Sequence, residues 1–119
     1  MDEKAKKRVE LFKLSCGFYP YEKEEYTRIR YSDDADPYVV KFLKEDIDYV
    51  ETTLAALCKA GGKRVENIIV SLYMDKLTQE ETAAKLHLTR RQVQYELELA
   101  FKEVFVPEPV PVDHSNELL

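Results

Sequence analysis

Between Thr89 and Tyr95 the chain gathers two guanidiniums, Arg90 and Arg91, two carboxamides, Gln92 and Gln94, and one phenol, all directly behind a threonine. Arg and Gln carry forked donors and acceptors that match the edges of guanine and adenine in the major groove. From the first turn of a helix such side chains project forward toward a duplex. The chemistry open to this cluster is recognition of bases. The competing reading is solvated charge at the start of an ordinary surface helix.

Two helices must position the cluster. Thr78 supplies a capping hydroxyl, and Glu81 three residues on completes a capping box, so a first helix starts at Thr78. Ala83 and Leu86 recur at helical spacing, and the small Ala83 lets a second helix cross nearby. His87 and Leu88 make a short turn, after which Thr89 caps the next helix. In that helix Val93, Leu97, Ala100, Phe101 and Val104 form an apolar stripe, which leaves the polar cluster on the opposite face. The pattern predicts a helix-turn-helix with one face packed and one free to read double-stranded DNA.

From about Arg64 to Phe105 the segment resembles region 4 of bacterial sigma factors. That span is about a third of the chain, and within it the resemblance rests on Leu77-Thr78-Gln79-Glu80-Glu81-Thr82-Ala83-Ala84-Lys85-Leu86 followed by Leu88-Thr89-Arg90-Arg91-Gln92-Val93. It implies that Arg90, Arg91, Gln94 and Tyr95 face bases, that Gln92 and Thr78 lie near phosphates, and that RNA polymerase is a partner. Two positions depart from the family pattern. His87 stands where a turn glycine is usual, which requires a non-glycine residue in the left-handed region. Glu96 stands where an apolar residue is usual, which bears on the helical phase after Val93.

Upstream, Val65, Ile68, Ile69 and Leu72 predict a supporting helix over Lys63 to Lys76, behind a break at Gly61-Gly62. Ahead of the break, Asp36 as cap, Pro37 at the first helical position and the stripe Val39, Phe42, Leu43, Ile47, Val50, Leu54 and Leu57 predict a long amphipathic helix. The stripe either packs on the C-terminal unit or joins two copies of the chain. A short helix over Lys4 to Leu14, ending at Gly17, and a second from Pro20 to Ile29 are expected before it. Tyr19, Tyr21, Tyr26 and Tyr31 read as amphipathic packing residues. The basic residues Lys4, Lys6, Lys7, Arg8 and Lys13 are either a solvated terminus or an arm on phosphate. Val106 to Leu119, with Pro107, Pro109 and Pro111, is expected as an extended, disordered tail.

The expected organisation is therefore all-α: an N-terminal helical region 1–62, a helix-turn-helix unit 63–105 and the tail 106–119. Its 119 residues and 45% hydrophobic content suit one compact domain with flanking segments. No run is apolar enough to span a bilayer and the charged start lacks a signal-peptide core, so a cytoplasmic location is expected. Cys16 and Cys58 lack metal-ligand spacing and are read as free thiols, with no metal and no cofactor. There is no glycine-rich phosphate loop, and Glu80 and Glu81 are explained by capping and the helix dipole, so an enzyme is not expected.

Charge limits the nucleic-acid reading. The formal net charge is -5, and residues 63–105 hold seven basic and seven acidic side chains. A neutral head gains little from counterion release, so affinity must come from a homodimer or higher oligomer, or from a second protein on the same site. The expected function is a sequence-specific transcription regulator, similar in size and motif placement to ArpU and RinA type late-gene activators of phages. The alternatives are a DNA-recognition subunit for phage packaging, of the small terminase type, or an interaction module on RNA polymerase.

Overall fold

In a computed structural model, which describes residues 1–106, the chain is all-helical, with no strand among the described residues. Helix α1 spans Glu3–Ile29, α2 spans Pro37–Ile69, α3 spans Gln79–Leu86 and α4 spans Arg90–Phe105. A π-helical turn, Val70–Met74, extends α2. The expectation for the Pro-rich segment from residue 107 onward lies outside the described residues. Among those described, no helix is long and apolar enough to cross a membrane.

Helix α1 begins where the Asp2 carboxylate accepts from the Ala5 amide at 2.8 Å. It then runs unbroken through Gly17 and Pro20, which corrects the expectation of two short helices. Proline removes one backbone donor and costs about 3 kcal/mol inside a helix, and glycine about 1 kcal/mol. Packing along the whole helix offsets both. Ala5, Val9, Phe12 and Cys16 are buried on one face, and beyond Pro20 the Lys23 ammonium donates to Glu51 of α2 at 2.7 Å. The Tyr19 hydroxyl donates to the same carboxylate at 2.6 Å. Tyr26 is half-buried, with the Arg30 guanidinium 5.7 Å from its ring, whereas Tyr21 and Tyr31 are exposed and do not pack as expected.

Asp36 caps α2 through its carboxylate, which accepts from the Tyr38 amide at 2.9 Å, and Pro37 takes the first helical position. The apolar stripe is buried at Leu43, Ile47, Val50 and Leu57. It is covered within the chain, so the alternative that it joins two copies does not hold for these positions. Only its first members, Val39 and Phe42, are exposed. The break at the two glycines is a kink: Gly62 has φ 86° and ψ 178°, a conformation nearly closed to side chains. A Cβ on Gly61 would lie 2.4 Å from Val65 Cγ2 and 3.4 Å from Ala100 of α4. The glycine pair thus redirects the chain and lets α4 approach.

After the kink α2 regains helical geometry, burying Val65, Ile68 and Ile69. The supporting helix stops short of Lys76, which adopts φ 60° as the Leu77 amide donates back to the Ser71 carbonyl at 2.9 Å. Phe12 is fully buried between Tyr49 of α2 and Phe101 and Phe105 of α4, with ring centroids 6.4, 6.3 and 6.0 Å away. One apolar cluster therefore runs from Val9 to Phe105. Arg8 adds a polar tie, its Nη1 donating to the Phe105 carbonyl at the end of α4 at 3.0 Å. Burial pushes the Cys16 thiol up to about 12, so it packs as an inert apolar group.

Between α1 and α2, Glu22 is half-buried beside Asp46, and burial followed by this carboxyl neighbour raises its pKa to about 7. The folded chain then holds a proton that the unfolded chain releases near pH 4.5. Stability should consequently fall as the pH rises from there through about 7. Thermal melts followed by circular dichroism are expected to show a higher midpoint near about pH 5.5 than near about pH 8, and Glu22→Gln is expected to flatten that difference. Equal pH dependence in parent and variant would remove Glu22 as its source.

Candidate nucleic-acid interface

Helices α3 and α4 are joined by three residues, 87–89, and each start is locked by a reciprocal capping box. The Thr78 hydroxyl accepts from the Glu81 amide at 3.0 Å while the Glu81 carboxylate accepts from the Thr78 amide at 2.8 Å. Thr89 and Gln92 repeat the arrangement at 3.0 and 2.8 Å. His87 adopts φ 58° and ψ 41°, the left-handed geometry that the missing glycine demanded. With it, the Leu88 amide donates to Ala83 at 2.8 Å and the His87 amide to Ala84 at 3.3 Å, closing the end of α3 in a Schellman pattern. The turn is therefore fixed at both ends by backbone bonds.

Val93, Leu97, Ala100 and Phe101 are buried, together with Phe105, while Val104 is half-buried. The phase of α4 continues unchanged past Glu96. That carboxylate sits in a bidentate pair with the Arg64 guanidinium of α2, with Nε donating at 2.8 Å. An ion pair between α2 and α4 thus occupies the place of an apolar contact.

The residues expected to read bases are all exposed at the start of α4. They are not equivalent. Arg90 is turned toward α3, its Nε donating to Gln79 Oε1 at 3.0 Å and its Nη1 lying 3.2 Å from the Glu80 carboxylate. Gln94 donates to the same Gln79 oxygen at 2.6 Å. Gln92 has its carboxamide oxygen committed to the Thr89 amide, and the Thr78 and Thr89 hydroxyls are committed as caps. Arg91 has no carboxylate within 4 Å among the described residues, and Tyr95 is 61% exposed. Together with Thr89 and Gln92 these two line a surface hollow. The structure thus separates a free pair, Arg91 and Tyr95, from a tethered pair, Arg90 and Gln94.

Gln79 is the residue that sequence reasoning missed. It stands at the first position of α3, and only the crossing of the two helices brings it to Arg90 and Gln94. No spacing along the chain signals it. Beside these residues α1 enters the site, because Met1, Lys6 and Glu10 face Gln79, Gln94 and Glu98 across a groove floored by Leu97 and Phe101. Of the five basic residues before Ser15, Arg8 is bound to Phe105, and Lys13 lies 3.2 Å from Glu10 and 5.6 Å from the Tyr73 ring centroid. Lys4, Lys6 and Lys7 have no carboxylate within 4 Å among the described residues.

His, Cys, Asp and Glu form no metal-holding cluster among the described residues. Compared with protein-family models, with curated proteins and with solved structures, the chain matches none.

Proposed function

We propose that this chain is a sequence-specific DNA-binding transcription regulator that reads the major groove with the start of α4 in a helix-turn-helix like that of sigma region 4. The observation that carries the reading is the pair Arg91 and Tyr95, exposed and, among the described residues, without a carboxylate partner for the guanidinium, at a doubly capped helix start. An arginine held by its own protein must break those bonds before it binds a base, whereas a free guanidinium donates two parallel bonds to guanine without that cost. Arg91 is accordingly the primary base reader. Arg90 and Gln94 follow Gln79, which links their positions to the start of α3. The start of α3, with Thr78, and the flank formed by Lys4 and Lys6 of α1 supply phosphate contacts, which position the head without reading sequence.

Selection of bound duplexes from a random library, followed by titration of the best site, tests the proposal. Arg91→Ala is expected to weaken that site by about 1–3 kcal/mol and to relax preference at one or two base pairs, with the circular dichroism spectrum unchanged. Absence of any selected sequence, or equal affinity of parent and variant, would reject the reading. Mapping the tagged protein along its host genome then assigns the role: enrichment upstream of an operon is the outcome expected of a regulator.

A further inference from the structure

We propose that α1 is a self-association helix whose outer face is covered by the α1 of a second copy of this chain, in antiparallel orientation. Leu11, Leu14, Phe18 and Tyr21 lie along α1 away from the core and are 55%, 59%, 55% and 65% exposed. Large apolar side chains repeated in line on one helix form a seam, and a seam in water calls for a partner. Within the described residues these four stay more than half exposed, on the side of α1 away from its buried face of Ala5, Val9, Phe12 and Cys16, with Leu14 and Phe18 bordering a hollow beside Leu72 and Tyr73.

The ends of the seam identify the partner. Lys7 precedes Leu11 by four residues and Glu25 follows Tyr21 by four, so the line reads Lys7, Leu11, Leu14, Phe18, Tyr21, Glu25. Its spacings, four, three, four, three and four, are the same in both directions, so the face is self-complementary about a twofold axis near residue 16. Antiparallel pairing sets Leu11 against Tyr21 and Leu14 against Phe18 of the second copy. It also sets Lys7 against Glu25, which joins opposite charges at both ends. A parallel pair would set lysine on lysine and glutamate on glutamate. Among the described residues, Lys7 has no carboxylate within 4 Å, and Glu25 pairs with Arg28 alone, one turn away on the same helix, at 2.5 Å. A twofold interface is isologous, which is what a palindromic face satisfies.

The face became continuous only because α1 runs through Gly17 and Pro20. Its buried side faces α2 and α4, so pairing through the outer side leaves the starts of both α4 helices uncovered. Self-association is independent of the proposed DNA reading, since it is measured without DNA.

Analytical ultracentrifugation of the full chain tests it. The parent is expected to be a dimer, and Leu14→Glu with Phe18→Glu is expected to raise the dissociation constant by about a hundredfold or more, because both positions become charged in a desolvated seam. Leu11→Glu with Tyr21→Glu provides a second, separate disruption; all four positions are exposed, so circular dichroism should stay that of the parent. Lys7→Glu and Glu25→Lys are each expected to weaken the dimer about threefold to tenfold, and the two changes in one chain to restore it. A parent that stays monomeric at about 100 μM, or a dimer insensitive to both seam variants, overturns the proposal. Failure of the combined charge exchange to restore a dimer weakened by each single change overturns the antiparallel register.

Discussion

Phe12→Ala is expected to lower the unfolding free energy by about 3–5 kcal/mol, the cost of removing a large aromatic side chain from a closed core. Phe12 is completely buried, and its ring meets Tyr49, Phe101 and Phe105, so the cavity would open where α1, α2 and α4 converge. Domains of this size have about 5–15 kcal/mol in total, so a single truncation removes a large fraction of it. The consequence reaches the candidate interface. Phe101 and Phe105 belong to the helix that presents Arg91, and Arg8, one turn before Phe12, holds the end of that helix. Urea titration followed by circular dichroism and by tyrosine fluorescence should give one coincident transition, shifted to lower urea. A shift below about 1 kcal/mol, or two separated transitions with the α3 and α4 signal unchanged, would mean that α1 and the C-terminal helices do not share a core.

That shared core explains which features were legible in the sequence. Local rules found the capped starts at Asp36, Thr78 and Thr89, the glycine kink and the left-handed His87, because each is decided by bonds within a few residues. The buried stripe of α4 was also legible, since helical periodicity alone assigns Val93, Leu97 and Phe101 to one face. Gly17 and Pro20 misled for the same reason that the others succeeded: their local preferences oppose a helix, and only the burial of Cys16 and the bonds from Tyr19 and Lys23 to Glu51 override them. The burial of the α2 stripe could not be decided either, because two amphipathic helices in one chain satisfy each other as well as they would satisfy a second copy. Side-chain bonds between helices lay furthest from view. Gln79 with Arg90 spans 11 residues and Arg64 with Glu96 spans 32, and neither pair has a periodic signature.

The charge balance acquires a spatial meaning from these bonds. Of the seven basic residues in 63–105, Arg64 is held by Glu96, Lys63 lies 2.8 Å from Glu66, and Arg90 faces Glu80. Exposed pairs of this kind add little stability, but each reduces the positive charge offered to phosphate. Among the described residues Lys4 and Lys6 at the start of α1 have no such partners, and Lys6 faces Gln94 across the groove. Affinity for a duplex would then draw on α1 as well as on the α3 and α4 pair, and pairing of two chains through the outer face of α1 would double both contributions.

Val93→Asp is expected to abolish the cooperative fold at neutral pH. Val93 is completely buried one turn into α4, in the same cluster as Ala83, Val65 and Ile68. A carboxylate there loses its water and finds no cation, a cost of several kcal/mol that approaches the whole stability of the chain. The sign of the pH effect follows from the same physics: an aspartate forced into this site has its pKa raised, so acid should partly restore structure where base cannot. Val93→Ala serves as the milder comparison, with an expected loss of about 1–3 kcal/mol and a retained transition. Circular dichroism melts separate the outcomes, and a parent-like midpoint for Val93→Asp would mean that α4 faces the core with another side. The contrast with Arg91→Ala then carries functional weight. Val93→Asp should lose DNA binding together with the fold, whereas Arg91→Ala should only weaken it, by about 1–3 kcal/mol, with the fold intact, because on the proposed reading one residue holds α4 in place and the other is what α4 presents.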